Sequence, residues 1–421
     1  MEQLVKENKV PIATIDDAVK RILRKKFELG LFDDPYKYCN QERQNKELSN
    51  PQHTKIAREI AAKSIVLLKN EKNILPLSKE TKTIAFIGPM VKPKRNNHGF
   101  WAIDLKEIDS TYIVSQWEGL ENKVGKTAKL LYAKGCDIEG DSKAGFQEAI
   151  NCANQADVVI MSIGERHDMS GEAKSRSNIH LPGIQEELIK ELQKTGKPIV
   201  ILINAGRPLI FNWTADNMPT IVYTWWLGSE AGNAIADVLF GDYNPSGKLP
   251  MTFPRTEGQI PIYYNHFSTG RPSINEDKIY KSAYIDLPTS PKFPFGFGLS
   301  YTTFQYTNLK LSKQKIKTSE TIEVSLNITN SGKFAGEEVV QLYLHDKAAS
   351  VVRPVIELKD FQKIKLEIGE TKTIKFTIDK EKLSFYNKDL KWIAEPGDFD
   401  LMIGSSSSDI RLQSNFELLK N

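Results

Sequence analysis

The apolar residues near the start of the chain follow a helical spacing. We expect one helix over residues 11–30, with Thr14 as its N-cap and Gly30 as its end. Its apolar stripe consists of Val19, Ile22, Leu23 and Phe27. Because nothing earlier in the sequence can cover this stripe, we expect the helix to end a larger domain. A connector rich in Pro, Asn and Gln follows it to about residue 53.

Residues 54–255 alternate between short apolar segments and amphipathic ones. A helix is expected from Thr54 to about Leu68. The strands expected after it cover residues 83–87, 129–133, 157–163, 198–204 and 220–225. The helices expected between these strands cover residues 144–154, 183–195 and 230–240. Val-, Ile- and Leu-rich strands alternating with such helices indicate a mostly parallel sheet covered on both faces.

The periodicity changes twice in the second half of the chain. Residues 256–308 are rich in Pro, Gly and aromatic residues, which predicts a long irregular segment packed between domains. Over residues 309–421 apolar and polar residues alternate, most regularly at 321–329, 339–345 and 371–378. Several short alternating strands separated by turn sequences predict a β-sandwich. The expected fold class is therefore α/β followed by all-β.

The composition of the chain argues against several classes of binding partner. The 421 residues carry 57 Lys and Arg against 53 Asp and Glu, and this balance argues against nucleic acid as a partner. The six His and three Cys show neither metal-ligand spacing nor a disulfide framework, so we expect no metal and no cofactor. No apolar run reaches the roughly 18 residues of a membrane span. Residues 1–8 lack the apolar core of a signal peptide, which leaves the compartment open.

The most charged strand-to-helix connection lies between residues 163 and 182. Loops at strand ends are where open α/β sheets bind their ligands. This loop contains three carboxylates, Glu165, Asp168 and Glu172, each able in principle to transfer a proton to a substrate. A solvated loop with incidental ion pairs is the competing interpretation. The residues alone do not choose among the three carboxylates.

Five runs of sequence bear on that choice. They are SGEAKSRSNIHLP (170–182), AGRP (205–208), GSEAGNAIADVLFGDYNPSGKLP (228–250), FGFGLSYTTF (295–304) and RILRKKFELGLF (21–32). Together they resemble glycoside hydrolase family 3, in particular β-glucosidases of the bacterial periplasmic type, and they span nearly the whole chain in the family's order. The run at 21–32 resembles the exit from the family's (β/α) barrel.

The resemblance implies a division of the chain and an activity. It implies a barrel-exit helix and linker over 1–53, a flavodoxin-like α/β sandwich over 54–255, an irregular inter-domain segment over 256–308 and a fibronectin-III-like sandwich over 309–421. The implied activity is retaining hydrolysis of terminal β-D-glucosyl residues, with Glu172 as the acid/base. In the family the nucleophilic Asp lies in a Ser-Asp-Trp-like motif of the barrel. No such motif occurs in this sequence, so we expect an incomplete enzyme.

Other residues are candidates for holding a substrate. His98 and Trp101 follow the first strand at the same sheet edge. An aromatic ring there can stack on a sugar, and a core or interface aromatic is an equally good interpretation. Arg176 is expected at the substrate or as an anchor of the loop, and Glu165 as a structural loop residue. The expected partners are a β-linked oligosaccharide or aryl glucoside and a separate barrel domain. β-Xylosidase specificity and a non-catalytic carbohydrate-binding or structural remnant are the alternatives. A flavodoxin-like nucleotide binder rests on fold analogy alone.

Overall fold

The computed structural model describes residues 1–48, 50–102, 112–272 and 280–420. Its contacts divide the chain into two units, residues 1–55 and 56–421. The helices of the N-terminal region are α1 (Glu2–Lys6), α2 (Ile12–Glu28), α3 (Gln41–Leu48) and α4 (Pro51–Ser64).

Helix α2 matches the predicted amphipathic segment, but Thr14 is not its N-cap. Its N-cap is Pro11, because the Thr14 N–H already donates to the Pro11 carbonyl and therefore lies inside the first turn. The predicted apolar stripe is exposed, with Ile22 61% and Phe27 71% accessible. Helix α3 forms where only a connector was expected, because the Asn40 side chain caps it by accepting from the Arg43 N–H at 2.8 Å.

The helix predicted to continue to Leu68 ends at Ser64, and that prediction was wrong over its last four residues. Residues Val66–Asn70 form strand β1 at the edge of the sheet. The burial of these residues explains why they form a strand. Leu67 packs into the core on one face of the sheet, and Val66 and Leu68 pack into the core on the other face. Burial that alternates with a period of two residues fits a strand. A helix over the same residues would leave some of these apolar side chains exposed to solvent.

The second unit begins with the α/β sheet. Its further elements are β2 (Thr83–Ile87), α5 (Gln116–Val124), β3 (Lys129–Ala133), α6 (Phe146–Gln155), β4 (Val158–Gly164), α7 (Gln185–Gln193), β5 (Ile199–Asn204), α8 (Asn212–Asn217), β6 (Thr220–Tyr223) and α9 (Ala231–Leu239). The strand order is β1-β6-β5-β4-β2-β3, with β1 antiparallel and the others parallel. Ala85 and Ile87 face one core, and Ile84 and Phe86 face the other. The mostly parallel sheet covered on both faces is confirmed.

The order of strands creates a switch point beside β2. From β2 the chain moves outward to β3, then returns to the other side of β2 as β4 and continues away through β5 and β6. The connections that leave the carboxyl ends of β2 and β4 therefore run in opposite directions over the sheet. Such a divergence opens a crevice at the carboxyl edge of a parallel sheet.

Residues 304–420 form the β-sandwich. Its elements are β7 (Phe304–Leu311), β8 (Lys315–Ile316), β9 (Ile322–Asn330), β10 (Gly336–Asp346), β11 (Glu357–Leu366), β12 (Thr371–Ile378), α10 (Lys380–Leu383), β13 (Phe385–Tyr386), β14 (Trp392–Ile393), β15 (Gly397–Ser406) and β16 (Asp409–Leu418). One sheet has the order β11-β10-β15-β16-β8 and the other β12-β9-β7. Alternate residues of β9, such as Val324 and Leu326, are buried between them, as the sequence period predicted.

The irregular segment before the sandwich is held on the α/β core by its aromatic residues. Phe253 and Phe293 form an isolated antiparallel bridge, and the Phe253 ring lies edge-on to Tyr223 at 5.1 Å between centroids. Phe293 in turn stacks on Phe211 at 6.0 Å. In the described parts of the chain no helix has the length and apolar character needed to cross a bilayer.

An ion-pair cluster joins three helices of the α/β region and makes stability sensitive to acid. Asp237 on α9 accepts from Arg58 on α4 at 2.6 and 2.7 Å and from Lys123 on α5 at 3.0 Å. Burial by itself would raise the pKa of Asp237, but the hydrogen bonds from Arg58 and Lys123 outweigh it and hold the pKa below its ordinary value. The cluster therefore stabilises the fold above the unfolded pKa of about 3.9, and this contribution is lost as pH falls through the lower folded pKa.

We expect Asp237→Asn to lower the free energy of unfolding by about 1–3 kcal/mol at pH 7, since charged hydrogen bonds to a half-buried carboxylate are lost. Urea unfolding at pH 7 and at pH 3 measures the effect, which should shrink at the lower pH. The matched control is Asp137→Asn, which breaks the exposed pair with Lys134 and should cost less than about 0.5 kcal/mol. An equal loss of unfolding free energy in both variants would contradict the stabilising role of the ion pairs around Asp237.

Candidate functional site

Two connections meet at the carboxyl edge of the sheet. Strand β2 is followed by a 3₁₀ turn at Arg95–His98, and β4 is followed by the charged loop predicted from the sequence. Asn96 joins them, because its Oδ1 accepts from the His167 N–H at 3.2 Å and lies 3.0 Å from His167 Nδ1. The Phe100 ring packs against Gly171, and the Lys174 ammonium lies 5.6 Å from the centroid of the same ring. The two connections thus pack against each other at this edge, where each forms one wall of the candidate site.

The three carboxylates of the loop have three different environments. Glu165 is fully buried and is paired with the guanidinium groups of Arg176 and Arg207. Asp168 is half-exposed and accepts from Arg166 Nε at 2.6 Å. Burial alone would raise the pKa of Asp168, but this hydrogen bond and the nearby charge of Arg166, together with weaker contributions from His167 and a backbone hydrogen bond, outweigh burial and lower the pKa. Glu172 is exposed, and its carboxylate has no hydrogen-bond or ion-pair partner among the described residues. Of the three, Glu172 alone is available to an incoming ligand.

Both ends of the loop are tied to the sheet by one buried side chain. Gln185, at the start of α7, accepts from the Gly164 N–H at 2.8 Å and donates to the Gly164 carbonyl at 2.9 Å. The same amide donates to the Pro182 carbonyl at 3.0 Å. Entry and exit of the loop are therefore fixed at one point. In addition, the Ile210 N–H donates to the Ile179 carbonyl at 2.9 Å, which pairs the exit of the loop with the segment after β5.

Arg207 holds the turn that carries Glu172. Its Nη2 donates to the carbonyl of Met169 and, at 2.8 Å, to that of Lys174. These two carbonyls lie on either side of Glu172. The Nε of Arg207 bonds the buried Glu165 carboxylate at 3.2 Å. A buried ion pair at the base of the loop is thus linked directly to the exposed turn above it.

The backbone on both sides of Glu172 is constrained. Gly171 has φ +146°, and a Cβ added there would lie 2.4 Å from the Phe100 ring, so a side chain at this position would clash. Ala173 has φ +55°, a left-handed conformation that costs a non-glycine residue of the order of 1–3 kcal/mol. Such strain persists where the surrounding structure imposes it, and it is typical of functional sites. The effect of the two residues is to display Glu172 at the tip of the turn.

The opposite wall contains buried polar atoms that lack a partner. His98 Nε2, Asn97 Nδ2 and Trp226 Nε1 make no hydrogen bond to any residue in the described ranges. Gly99, which follows His98 in the chain, packs directly on the Trp226 ring. Burial and the nearby Arg95 guanidinium lower the pKa of His98, so its imidazole is neutral at pH 7. A buried polar group left without a hydrogen bond costs about 1–3 kcal/mol, so these atoms are positions where a water or a ligand group can bond.

Each side chain singled out in the sequence can now be placed. Trp101 is 75% exposed and lies edge-on to Phe100 at 5.5 Å. The Arg176 guanidinium is engaged by Glu165 and by the His180 carbonyl, so its contacts are those of a loop anchor.

Reasoning from the sequence did not find Arg207, Gln185, Asn96 or Phe100. Arg207 lies in the AGRP run after β5, so its position at the same sheet edge was a usable signal. The other three act through amide geometry and ring packing, which leave no pattern in the sequence. Within the described ranges, no group of three His, Cys, Asp or Glu side chains is arranged to hold a metal ion.

Comparisons with known proteins show which families the two folded regions resemble. Residues 65–301 match the glycosyl hydrolase family 3 C-terminal domain, and residues 338–407 match a fibronectin type III-like domain. The chain is 43% identical to a periplasmic β-glucosidase of Salmonella typhimurium, over 99% of this chain and 57% of that protein. It is 42% identical to a β-xylosidase of Formosa agariphila, over 97% of this chain and 56% of that protein.

Solved structures show the same fold. A β-glucosidase from Listeria innocua, solved in complex with glucose, superposes with a TM-score of 0.90 at 38% identity. The match covers all of this chain and 56% of that one. The chain thus spans little more than half the length of the relatives that it matches. The family 3 C-terminal domain accounts for more than half of the present sequence, and the chain therefore belongs to glycoside hydrolase family 3.

Proposed function

We propose that this chain carries the acid/base half of a retaining β-glucosidase, with Glu172 as the acid/base. The observation that supports this most is the environment of the three loop carboxylates: Glu165 and Asp168 are committed to arginines, whereas Glu172 is exposed on a turn fixed from both sides. A general acid must reach the glycosidic oxygen, and only an uncommitted carboxyl can do so.

The proposed reaction has two steps. In the first, the Glu172 carboxyl donates its proton to the leaving oxygen while a second carboxylate attacks the anomeric carbon, so the C–O bond breaks and a glycosyl-enzyme ester forms. In the second, the Glu172 carboxylate takes a proton from water as the water oxygen displaces the ester. The sugar leaves with its original anomeric configuration, and both carboxyl groups return to their starting states.

The second carboxylate comes, on this proposal, from outside residues 1–421. The family's nucleophile motif, Ser-Asp-Trp or a close variant, does not occur in the sequence. Retaining enzymes hold their two carboxyl groups about 5 Å apart. The exposure of Glu172 leaves that space open to a barrel domain, in the same polypeptide or a separate one. We expect residues 1–421 alone to show little or no turnover.

The sugar is held, in this proposal, by the wall opposite Glu172. Trp101 offers an exposed ring face to the apolar side of a pyranose, and the neutral imidazole of His98 offers a hydrogen bond to a hydroxyl. Arg176 acts through Glu165, as a positioning residue. The relatives include both β-glucosidases and β-xylosidases, and a Listeria innocua neighbour was solved with laminaribiose. Glucose is the sugar we propose, and xylose is the alternative.

The test is a chimera in which the barrel portion of the Salmonella typhimurium relative precedes this chain. We expect it to hydrolyse 4-nitrophenyl β-D-glucoside faster than the corresponding β-D-xyloside, and to release β-glucose first in a proton NMR time course. Preference for the xyloside would select the alternative sugar. A first product of α configuration would contradict the retaining mechanism, and a folded but inactive chimera would favour a non-catalytic remnant.

A further inference from the structure

A second concave site lies between the irregular segment and the β-sandwich. It has a volume of about 700 Å³, and its described lining comes from residues within 252–272, 282–295, 355–356 and 407–408. This volume falls within the range of roughly 300–1,000 Å³ that is common for small-molecule sites. None of its described lining residues belongs to the charged loop or to the 3₁₀ turn after β2. The groove is therefore separate from the candidate active site.

The floor of this groove is rigid. Tyr264 stacks on Phe295 with centroids 4.2 Å apart and planes 12° from parallel. The Tyr264 hydroxyl accepts from the Leu358 N–H at 3.2 Å, which joins the irregular segment to β11. The buried Gln259 side chain accepts from the Arg255 N–H at 2.7 Å and donates to the Pro288 carbonyl at 3.1 Å. A floor fixed in this way exists before any ligand arrives.

The rim presents aromatic rings to solvent. Tyr263 is 64% exposed, Phe267 58% and Tyr284 37%. Their backbone is nevertheless fixed, because Phe267 forms a bridge with Pro354 and the Val355 N–H donates to the His266 carbonyl at 3.0 Å. Three open rings on a fixed backbone are unfavourable in water and provide flat apolar faces to a ligand.

The chemistry of the lining selects a class of ligand. Among the described residues that line the groove, none is Lys, Arg, Asp or Glu, although such residues make up 26% of the chain. A phosphate, nucleotide or charged peptide finds no ionic partner among these described lining residues. Between the rings lie hydroxyl side chains, including those of Ser268, Thr269 and Ser408. The lining therefore combines ring faces with neutral hydrogen-bonding groups.

A pyranose matches both features. Its axial C–H bonds form an apolar face that carries slight positive charge, and this face meets the negative face of an aromatic ring. Its equatorial hydroxyls are neutral donors and acceptors that suit Ser and Thr hydroxyls and the His266 imidazole. We propose that the groove binds a neutral oligosaccharide, and specifically a β-linked glucan, at a site apart from Glu172. The choice of a β-linked glucan rests on the proposed function, whereas the carbohydrate class rests on the lining.

The test is isothermal titration of the 421-residue chain with cellohexaose, laminarihexaose and, as an α-linked comparison, maltohexaose. We expect one of the β-linked hexasaccharides to bind, and Tyr263→Ala and Phe267→Ala each to weaken it about tenfold, as loss of a central aromatic contact does. Phe267→Leu, which keeps apolar bulk without a ring face, should weaken it as well. The matched control is Phe361→Ala, a ring 59% exposed on β11 outside the groove, which should leave the affinity unchanged.

Several results would overturn the inference. No binding by any hexasaccharide, or binding that Trp101→Ala removes and Phe267→Ala does not, would exclude the groove as a sugar site. Self-association of the chain that Phe267→Ala abolishes and no sugar displaces would assign the groove to a second copy. Preferential maltohexaose binding through Tyr263 and Phe267 would overturn the β-linked choice. Because titration requires no turnover, an inactive chimera leaves this result intact, and the two proposals fail separately.

Discussion

Replacing Glu172 with alanine in the barrel-restored chimera will lower kcat/KM for cellobiose by about 10²–10⁴-fold, the usual contribution of a general acid/base. The loss will be much smaller for 2,4-dinitrophenyl β-D-glucoside, because its leaving group departs without protonation. Steady-state kinetics over a series of aryl glucosides of graded leaving-group pKa measures this difference. An equal loss for good and poor leaving groups would show that Glu172 does not protonate the leaving oxygen.

Two other loop variants serve as controls for this experiment. Asp168→Asn removes a carboxylate four residues away that is already paired with Arg166, so we expect kcat/KM to change less than about threefold. Glu165→Gln should lower activity on all substrates alike, since it disturbs the loop and not the proton transfer. If Asp168→Asn instead produced the leaving-group dependence, the acid/base role would move to that residue.

Glu165→Ala will cause the largest loss of stability among the loop variants. It leaves the guanidinium groups of Arg176 and Arg207 partly buried without their carboxylate, and breaking a buried ion pair typically costs about 3–5 kcal/mol. Urea unfolding of the 421-residue chain at pH 7 measures the change. Arg166→Ala breaks only exposed pairs with Asp168 and Glu139 and should cost less than about 1 kcal/mol.

Arg207→Lys separates the two functions of Arg207, which are to pair with Glu165 and to hold the turn that carries Glu172. A lysine keeps the positive charge near Glu165 but cannot bond the Met169 and Lys174 carbonyls while it also pairs with Glu165. We expect a modest loss of stability together with faster tryptic cleavage after Lys174 under native conditions. Cleavage at the wild-type rate would show that Arg207 does not hold the turn that carries Glu172.

The sequence predicted the framework well because the framework follows from hydrophobic period. Continuous apolar segments between amphipathic helices predicted a parallel sheet. Alternating apolar and polar residues in β9 predicted the β-sandwich. The hydrophobic period misled at residues 65–68, where four consecutive apolar residues fit a helix end as well as a strand buried on both faces. Only pairing with β6 decides between them, and that pairing lies some 150 residues away along the chain.

The site was predictable only in part, because it depends on contacts between distant segments. Its position at the strand ends follows from the fold class, but Glu165, Asp168 and Glu172 look equivalent in the sequence. What distinguishes them is the partner of each, and the partner of Glu165 from the segment after β5 is Arg207, 42 residues away. The left-handed backbone at Ala173 likewise has no sequence signature.

The most direct test of Glu172 as the acid/base is the product formed when Glu172→Ala is assayed with azide. Azide needs no general base to attack a glycosyl-enzyme, so it should accelerate turnover of 2,4-dinitrophenyl β-D-glucoside by the chimera and yield β-D-glucosyl azide. The unsubstituted chimera should give glucose with or without azide. Absence of rescue would contradict the assignment, and formation of α-D-glucosyl azide would mean that Glu172 is the nucleophile.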